Sequence, residues 1–169
     1  MLREDRYKKR QSAMRALPCA LSIAGLDPSG GAGLFADLRA FQEASVWGCG
    51  AVAVMTVQST AGLRASTPVA TSELVAQIRE LFAHQNIKAV KIGALGSLAN
   101  VRGVTRLLAK VARRIPIVID PVVRATRGDS SAPLLEKNAA AALLEMIPAA
   151  TLITPNAVEA ALFTGRPVR

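Results

Sequence analysis

A glycine-rich segment carries the clearest chemical potential in this sequence. It reads DPSGGAG over residues 27–33 and follows a short apolar run, residues 20–24. Glycines let backbone N–H groups come close to a ligand, and the start of a helix favours an anionic or polar one. No Gly-Lys-Ser/Thr follows, so the segment is not a Walker phosphate loop. Composition alone leaves two interpretations open, a ligand-binding loop and an ordinary tight turn between a strand and a helix.

Two polar side chains, Asp37 and Gln58, stand where a small ligand would need them. Asp37 shares a predicted helix face with Leu34 and Phe41, so we expect a partly buried carboxylate that needs a donor, such as a ligand amine or amide. An acid favoured by the helix dipole alone is the alternative. Gln58 ends an apolar strand, and its amide both donates and accepts, as reading the edge of a heterocycle requires. A solvated strand end is the alternative.

Asn156 and Glu159 have the spacing of a capping box, an Asn cap with Glu three residues later. The same amide and carboxylate also suit a phosphate and its magnesium ion. From the spacing alone, the cap is the favoured interpretation.

Histidine and cysteine are too scarce for several kinds of site. His84 is the single histidine, so a multi-histidine metal site is excluded and a Ser-His-Asp site has one candidate. We expect His84 to end a helix as a dipole partner. Cys19 and Cys49 form neither a disulfide framework nor a cysteine zinc cluster. A GxGxxA pattern starts at Gly48 but is predicted to precede its strand, which leaves an NAD-dependent oxidoreductase as the weakest alternative.

The net charge of +9 does not indicate nucleic-acid binding. Six basic and two acidic residues lie in residues 1–15, which we interpret as a basic N-terminal extension. A second basic group recurs at helical spacing and is predicted to be a solvated helix face: Arg102, Arg106, Lys110 and Arg113. Aromatic residues make up 4% of the chain and interleave with neither group, as base stacking would require.

No segment predicts a membrane anchor. The apolar stretch 46–57 is too short to span a bilayer and is predicted to be a buried strand. The basic start followed by residues 16–26 imitates a secretory signal, but acidic residues precede the apolar run and Pro18 interrupts it. We expect a cytoplasmic protein.

Alternating elements must position these side chains. Strands are predicted at 20–24, 51–57, 87–92, 115–119 and 151–153. Helices are predicted at 34–44, 98–114 and 135–147 and from Asn156 to Gly165, with a loop at 126–133. A further helix is predicted to start at a Ser72 cap, with an inward face formed by Leu74, Ile78, Leu81 and Phe82. Five apolar strands alternating with helices predict a parallel sheet covered on both faces, in one domain over 16–169. Such sheets bind ligands at the carboxyl ends of their strands, where most polar and glycine-rich features fall.

Taken together, these motifs resemble the hydroxymethylpyrimidine/phosphomethylpyrimidine kinases of thiamine biosynthesis, within the ribokinase-like superfamily. The resemblance covers residues 17–165 and rests on motifs in family order: IAGLDPSGGAG at 23–33 with Ala36-Asp37-Leu38, VQST at 57–60, KIG at 91–93, DPV at 120–122, Gly128-Asp129, and TPN at 154–156 with Glu159. It implies a three-layer α/β/α fold with a mainly parallel sheet.

The resemblance also implies roles for individual residues. Asp37 and Gln58 would hydrogen-bond an aminopyrimidine, in a pocket lined by Thr56, Ala94 and Gly25. Asn156 and Asp120 would serve the phosphates of ATP, and Glu159 would hold Mg²⁺ through water. The implied reaction transfers the γ-phosphoryl group to 4-amino-5-hydroxymethyl-2-methylpyrimidine and then to its monophosphate. For full-length members the resemblance implies a homodimer.

The chain departs from the family pattern at several positions. Ala94 stands where members often have Met, Ser59 where they often have Asn, and Arg127 where they have a small residue. Members continue beyond the position of Arg169 to a Gly-Thr-Gly-Cys-type loop that supplies anion-hole amides and the catalytic base. The resemblance therefore predicts a C-terminally truncated kinase domain that transfers phosphoryl groups negligibly by itself. A catalytically inactive pyrimidine-binding module is the alternative.

Overall fold

The computed structural model describes residues 18–124 and 134–167, together with Asp5. The predicted loop at 126–133, the Gly128-Asp129 pair, Arg127 and nearly all of the basic extension lie outside the described residues.

A six-stranded sheet forms the centre of the domain, in the order β3-β2-β1-β4-β5-β6. Its strands are β1 (Cys19–Leu26), β2 (Trp47–Ser59), β3 (Gly62–Pro68), β4 (Ile87–Ile92), β5 (Ile117–Ile119) and β6 (Leu152–Ile153). Neighbouring strands are parallel except for the antiparallel β2–β3 pair. The helices are α1 (Gly33–Glu43), α2 (Thr71–His84), α3 (Leu98–Val111), α4 (Ala140–Met146) and α5 (Ala157–Thr164). The predicted α/β class with a mainly parallel sheet is confirmed.

Both faces of the sheet are covered around β1, which is buried along nearly its whole length. On one face, Leu21 and Ile23 belong to the main core together with Leu74 of α2 and Val104 of α3. On the other face α1 lies directly on β2, where Gly48 and Gly50 have no side chains. A Cβ at Gly50 would lie 2.5 Å from a methyl carbon of Leu34. These glycines therefore allow helix and sheet to pack closely.

The same packing corrects the sequence-based bounds of β2. The prediction placed the glycine pattern at 48–50 before a strand starting at 51, but β2 begins at Trp47, so both glycines lie inside the strand. They serve packing against α1 and are not a dinucleotide loop.

β3 was missed by the sequence analysis, which predicts no strand between the second strand, at 51–57, and the third, at 87–92. The segment Gly62–Pro68 pairs antiparallel with β2 at the edge of the sheet, from Ser59 opposite Gly62 to Val54 opposite Pro68. Only Gly62 and Leu63 of β3 are buried, and an edge strand tolerates proline, so the hydrophobic pattern gave little signal.

Several helix bounds also differ from the prediction. The Ser72 cap is wrong, because α2 begins at Thr71 after Ala70 and has no side-chain cap. α3 ends at Val111 rather than 114, and β5 starts at Ile117, because Pro116 cannot donate a backbone hydrogen bond and a turn precedes it. The predicted helix 135–147 is a short α4 flanked by the 3-10 turns Lys137–Ala139 and Ile147–Ala149.

Asn100 ties three connections on one side of the sheet together. It is fully buried near the start of α3. Its amide nitrogen lies 3.3, 3.1 and 3.0 Å from the carbonyl oxygens of Ala53, Val69 and Leu95, so its two N–H groups are shared among three acceptors. Its amide oxygen accepts from the Thr71 hydroxyl at 2.6 Å. One side chain thus joins β2, the segment before α2 and the segment after β4.

The positions of His84 and of the basic helix face on the surface agree with the sequence-based predictions. His84 ends α2 and lies 3.3 Å from Glu80 on the exposed surface. The basic side chains of the predicted helix face are exposed: Arg102, Arg106, Lys110 and Arg113. Among the described residues, no helix has the length and apolar character needed to cross a membrane.

Candidate functional site

The carboxyl ends of the strands surround a cavity of about 580 Å³. Its walls come from the ends of β1, β2, β4, β5 and β6, and they include seven of the eight predicted site residues: Gly25, Thr56, Gln58, Ala94, Asp120, Asn156 and Glu159. Parallel strands bring their carboxyl ends to one edge, which is why residues far apart in sequence meet there. The eighth, Asp37, is not part of the wall.

The glycine-rich segment forms one wall, and Asp27 holds it in place. The buried Asp27 carboxylate accepts from the Ser29 N–H at 2.9 Å, the Ser29 hydroxyl at 2.8 Å and the Ala32 N–H at 3.0 Å. Gly33 has a φ of +59°, and a Cβ there would overlap the Gly25 carbonyl oxygen. The segment is therefore a tight turn that also lines the cavity.

Small side chains and one amide line the cavity near β1 and β2. Thr56 donates its hydroxyl to the Leu26 carbonyl at 2.7 Å, which fixes its rotamer. Gly25 and Ala94 adjoin each other, since a Cβ at Gly25 would lie 3.7 Å from that of Ala94. Among the described residues, the half-buried Gln58 amide has no hydrogen-bond partner. Its donors and acceptor are free for a ligand.

Asp37 lies behind this wall, on α1, and its donors come from the protein itself. Its Oδ2 accepts from the Ser22 hydroxyl at 2.6 Å and from Lys91 Nζ at 3.2 Å. The sequence correctly indicated a partly buried carboxylate in need of a donor, but not that Ser22 and Lys91 would supply it.

Lys91 is the functional candidate that sequence reasoning missed. It lies near the end of β4, lines the cavity, and places its Nζ 3.4 Å from Asp120 Oδ2 as well as 3.2 Å from Asp37 Oδ2. The available signal was a lysine near the end of a strand, between the apolar, buried residues Val90 and Ile92.

Asn156 and Glu159 form the predicted capping box at the start of α5. The Asn156 side-chain oxygen accepts from the Glu159 N–H, and Glu159 Oε2 accepts from the Asn156 N–H, both at 2.9 Å. Both residues also line the cavity. The cap uses one carboxylate oxygen of Glu159, so the second oxygen stays available to a ligand.

Acidic oxygens at the β5 and β6 ends fit a magnesium ion held mainly by phosphate. Asp120 and Glu159 supply carboxylates there. Mg²⁺ keeps several waters and commonly binds through one or two carboxylates plus substrate phosphates. No cluster of three or more acidic, histidine or cysteine ligands occurs in the part of the chain that the structure describes, so a dedicated protein cage is not found there.

The fold and this cavity define a ribokinase-like α/β protein, and solved structures agree. The phosphomethylpyrimidine kinase of Clostridium difficile superposes with a TM-score of 0.80 at 33% identity, covering 90% of this chain and 64% of that one. The pyridoxal kinase of Staphylococcus aureus, in complex with AMP-PCP and pyridoxal, gives a TM-score of 0.76 at 26% identity, covering 90% and 54%.

Sequence comparisons identify the family. A model of the phosphomethylpyrimidine kinase family matches residues 27–169, and the chain belongs to that family. The hydroxymethylpyrimidine/phosphomethylpyrimidine kinase of Rhizobium meliloti is 41% identical over 150 residues, 88% of this chain and 54% of that protein. The Escherichia coli kinase of the same name is 36% identical over 149 residues. The chain spans about half the length of these curated relatives.

Proposed function

We propose that this chain carries the substrate side of an ATP-dependent kinase that phosphorylates 4-amino-5-hydroxymethyl-2-methylpyrimidine and its monophosphate. One observation about this member of the kinase family carries the proposal: a single cavity contains two different groups of side chains. The free Gln58 amide and small side chains lie at one end, and Asn156, Glu159 and Asp120 lie at the other.

The β1–β2 end suits a small flat heterocycle. Gln58 would donate to and accept from the pyrimidine edge, because its amide is unpaired and lines the cavity. Gly25, Thr56 and Ala94 would shape the pocket around the ring. Asp37 would act at this end through its contact with Lys91.

The β5–β6 end suits the nucleotide phosphates. Asn156 and Asp120 would face the phosphates of ATP, and Glu159 would hold Mg²⁺ through water by the oxygen that the cap leaves free. The ion would neutralise phosphate charge.

The proposed reaction needs the hydroxymethyl oxygen close to the γ-phosphorus, between these two ends. That oxygen gives its proton to the catalytic base, which the resemblance assigns to a loop after residue 169, and forms the new bond to phosphorus. The bond from phosphorus to the β-phosphate oxygen breaks, and its electron pair leaves with ADP. Catalysis of this kind depends mainly on positioning and charge neutralisation. The described residues supply the positioning.

Calorimetric titration with the aminopyrimidine tests the proposal directly. We expect binding by the 169-residue chain, and we expect Gln58→Ala to weaken it by about 1–3 kcal/mol, the cost of leaving ligand polar groups unpaired. Gln42→Ala, at an exposed position on α1, is the matched control and should bind like the unchanged chain. Equal affinity of the Gln58→Ala variant would refute the assigned role of Gln58.

A coupled ADP assay on the same chain separates the active kinase from the binding module. Binding with negligible turnover supports the module for these 169 residues. Turnover of about 1–100 per second, typical of kinases, would contradict the expectation of negligible transfer. Absence of aminopyrimidine binding would contradict the proposed function.

The resemblance also supports a cytoplasmic location and a homodimeric assembly for the full-length protein, and we include both in the proposal. Light scattering on a full-length member containing this sequence would measure the assembly.

A further inference from the structure

Lys91 occupies the boundary between the two ends of the cavity. Its strand, β4, lies between β1 and β5 in the sheet. The proposed heterocycle contacts from Gly25, Thr56 and Gln58 come from β1 and β2, on one side. The proposed phosphate contacts from Asp120, Asn156 and Glu159 follow β5 and β6, on the other. A group at the end of β4 therefore adjoins the point where pyrimidine and phosphate must meet.

Two carboxylates hold the Lys91 ammonium at that point. Nζ lies 3.2 Å from Asp37 Oδ2 and 3.4 Å from Asp120 Oδ2, and Ser22 fixes Asp37 through a 2.6 Å hydrogen bond. A Cβ at Gly93 would lie 3.1 Å from Nζ, so the glycine leaves room for the ammonium. The Lys91 side chain is 21% exposed, and that exposure opens on the cavity.

The ammonium has a donor left for a ligand. An ammonium carries three N–H groups; one donates to Asp37, and the ion pair with Asp120 occupies at most one more. The structure shows no third partner among the described residues.

We propose that Lys91 donates this remaining N–H to the oxygen on the hydroxymethyl carbon of the aminopyrimidine. Asp37 and Asp120 are then positioning residues that hold the ammonium. This assignment rests on the proposed function and deepens it, because that oxygen is the atom that accepts the phosphoryl group. It also gives Asp37 a role that fits its place behind the cavity wall.

Two ligands that differ in one oxygen test the contact. The first is 4-amino-5-hydroxymethyl-2-methylpyrimidine, and the second is 4-amino-2,5-dimethylpyrimidine, which lacks the hydroxyl group. We expect the unchanged chain to bind the alcohol about tenfold more tightly, as a hydrogen bond to a charged group provides. Lys91→Met should reduce this preference to less than about twofold. Lys88→Met, on the same strand but exposed, is the matched control and should keep the preference.

A second variant removes Lys91 together with Asp37, so that the more buried of its two carboxylate partners is not left unpaired. Lys91→Met with Asp37→Asn should show the same loss of preference as Lys91→Met alone, because Asp37 acts through Lys91. Circular dichroism establishes that each variant is folded.

The binding results distinguish a failure of the proposed function from a failure of the Lys91 assignment. If the unchanged chain binds neither pyrimidine, the proposed function and this inference both fail. If it binds both pyrimidines equally well, or if either Lys91 variant keeps the preference for the alcohol, only the inference is overturned.

Discussion

Cys19 and Cys49 are neighbours on β1 and β2 and behave as buried core residues. Both thiols are free, and their sulfurs lie 3.1 Å apart. Burial, and secondarily the hydrogen bond with Cys49 and its charge, raise the pKa of Cys19 from 9.0 to about 12. The thiolate, which is the reactive form, is therefore disfavoured in the folded chain.

This raised pKa predicts a loss of stability at high pH. Above pH 9.0 the unfolded chain loses the Cys19 proton while the folded chain keeps it up to about pH 12. Unfolding then becomes progressively more favourable as the pH rises through this window. We expect the free energy of unfolding of Cys19→Ala to fall less steeply from pH 9 to pH 11, measured by denaturant titration. Parallel pH profiles for the two chains would rule out this contribution.

At the site, the sequence indicated which residue types stand at strand ends but not how they pair. Gln58, Asn156 and Glu159 were recognised because each lies at an element boundary, where local spacing carries information. Lys91 was not, because its partner Asp37 is 54 positions away in sequence. A contact over that distance depends on strand order, which hydrophobic periodicity does not encode.

Gly33 fixes the geometry of the turn between β1 and α1. Gly33→Ala should destabilise the chain severely, because the new Cβ would overlap the Gly25 carbonyl in addition to the strain of a φ of +59°. Gly165→Ala is the matched control: its φ is +66°, but a Cβ there meets nothing within 4 Å. The control should lose only about 1–2 kcal/mol, the cost of the left-handed backbone. Equal losses in thermal or denaturant unfolding would show that the Gly25 contact can relax.

Elements with a buried face were predictable, and those at the periphery were not. β1 and β4 are short, mostly apolar strands, and α2 and α3 carry inward stripes that include Leu74 and Val101. β3 has no such face, and α4 is shortened by 3-10 turns on both sides. Hydrophobic periodicity predicts which elements are buried, so it does not detect an element at a sheet edge or at a helix end.

The whole molecule leaves an apolar surface around β6 and α5. Leu152 is 54% exposed, Val158 76% and Leu162 53%. Full burial of such a side chain contributes about 1.5–3 kcal/mol, against a typical net stability of about 5–15 kcal/mol. Soluble monomers rarely leave contiguous apolar surface of this kind uncovered.

We therefore expect the 169-residue chain, prepared alone, to bind a hydrophobic dye and to self-associate. The double variant Val158→Lys with Leu162→Lys should reduce both effects, measured by dye fluorescence and light scattering. Thr164→Lys, at an exposed position on the same helix, is the control. Ala160 is already half-buried, so Ala160→Lys would not be an equivalent control. A monodisperse monomer that binds no dye would contradict the expectation.

For the molecule as a whole, the α/β fold class could be predicted from the alternation of strands and helices, which requires a parallel sheet. Its strand order did not follow, because placing β1 between β2 and β4 is a long-range choice. The cavity at the carboxyl edge was predictable as a location, while its division into two ends around Lys91 required the structure.

The Asn100 amide has a consequence for motion in the native state. Because it contacts the carbonyls of Ala53, Val69 and Leu95 at once, the three segments share one buried hydrogen-bonding group, and opening any of them breaks a bond to that group. Native-state hydrogen exchange should therefore report one shared opening free energy for the backbone amides around them, as in a single cooperative unit. In Asn100→Ala the three segments should exchange with separate opening energies. Unchanged, common protection in that variant would show that the strands alone couple them.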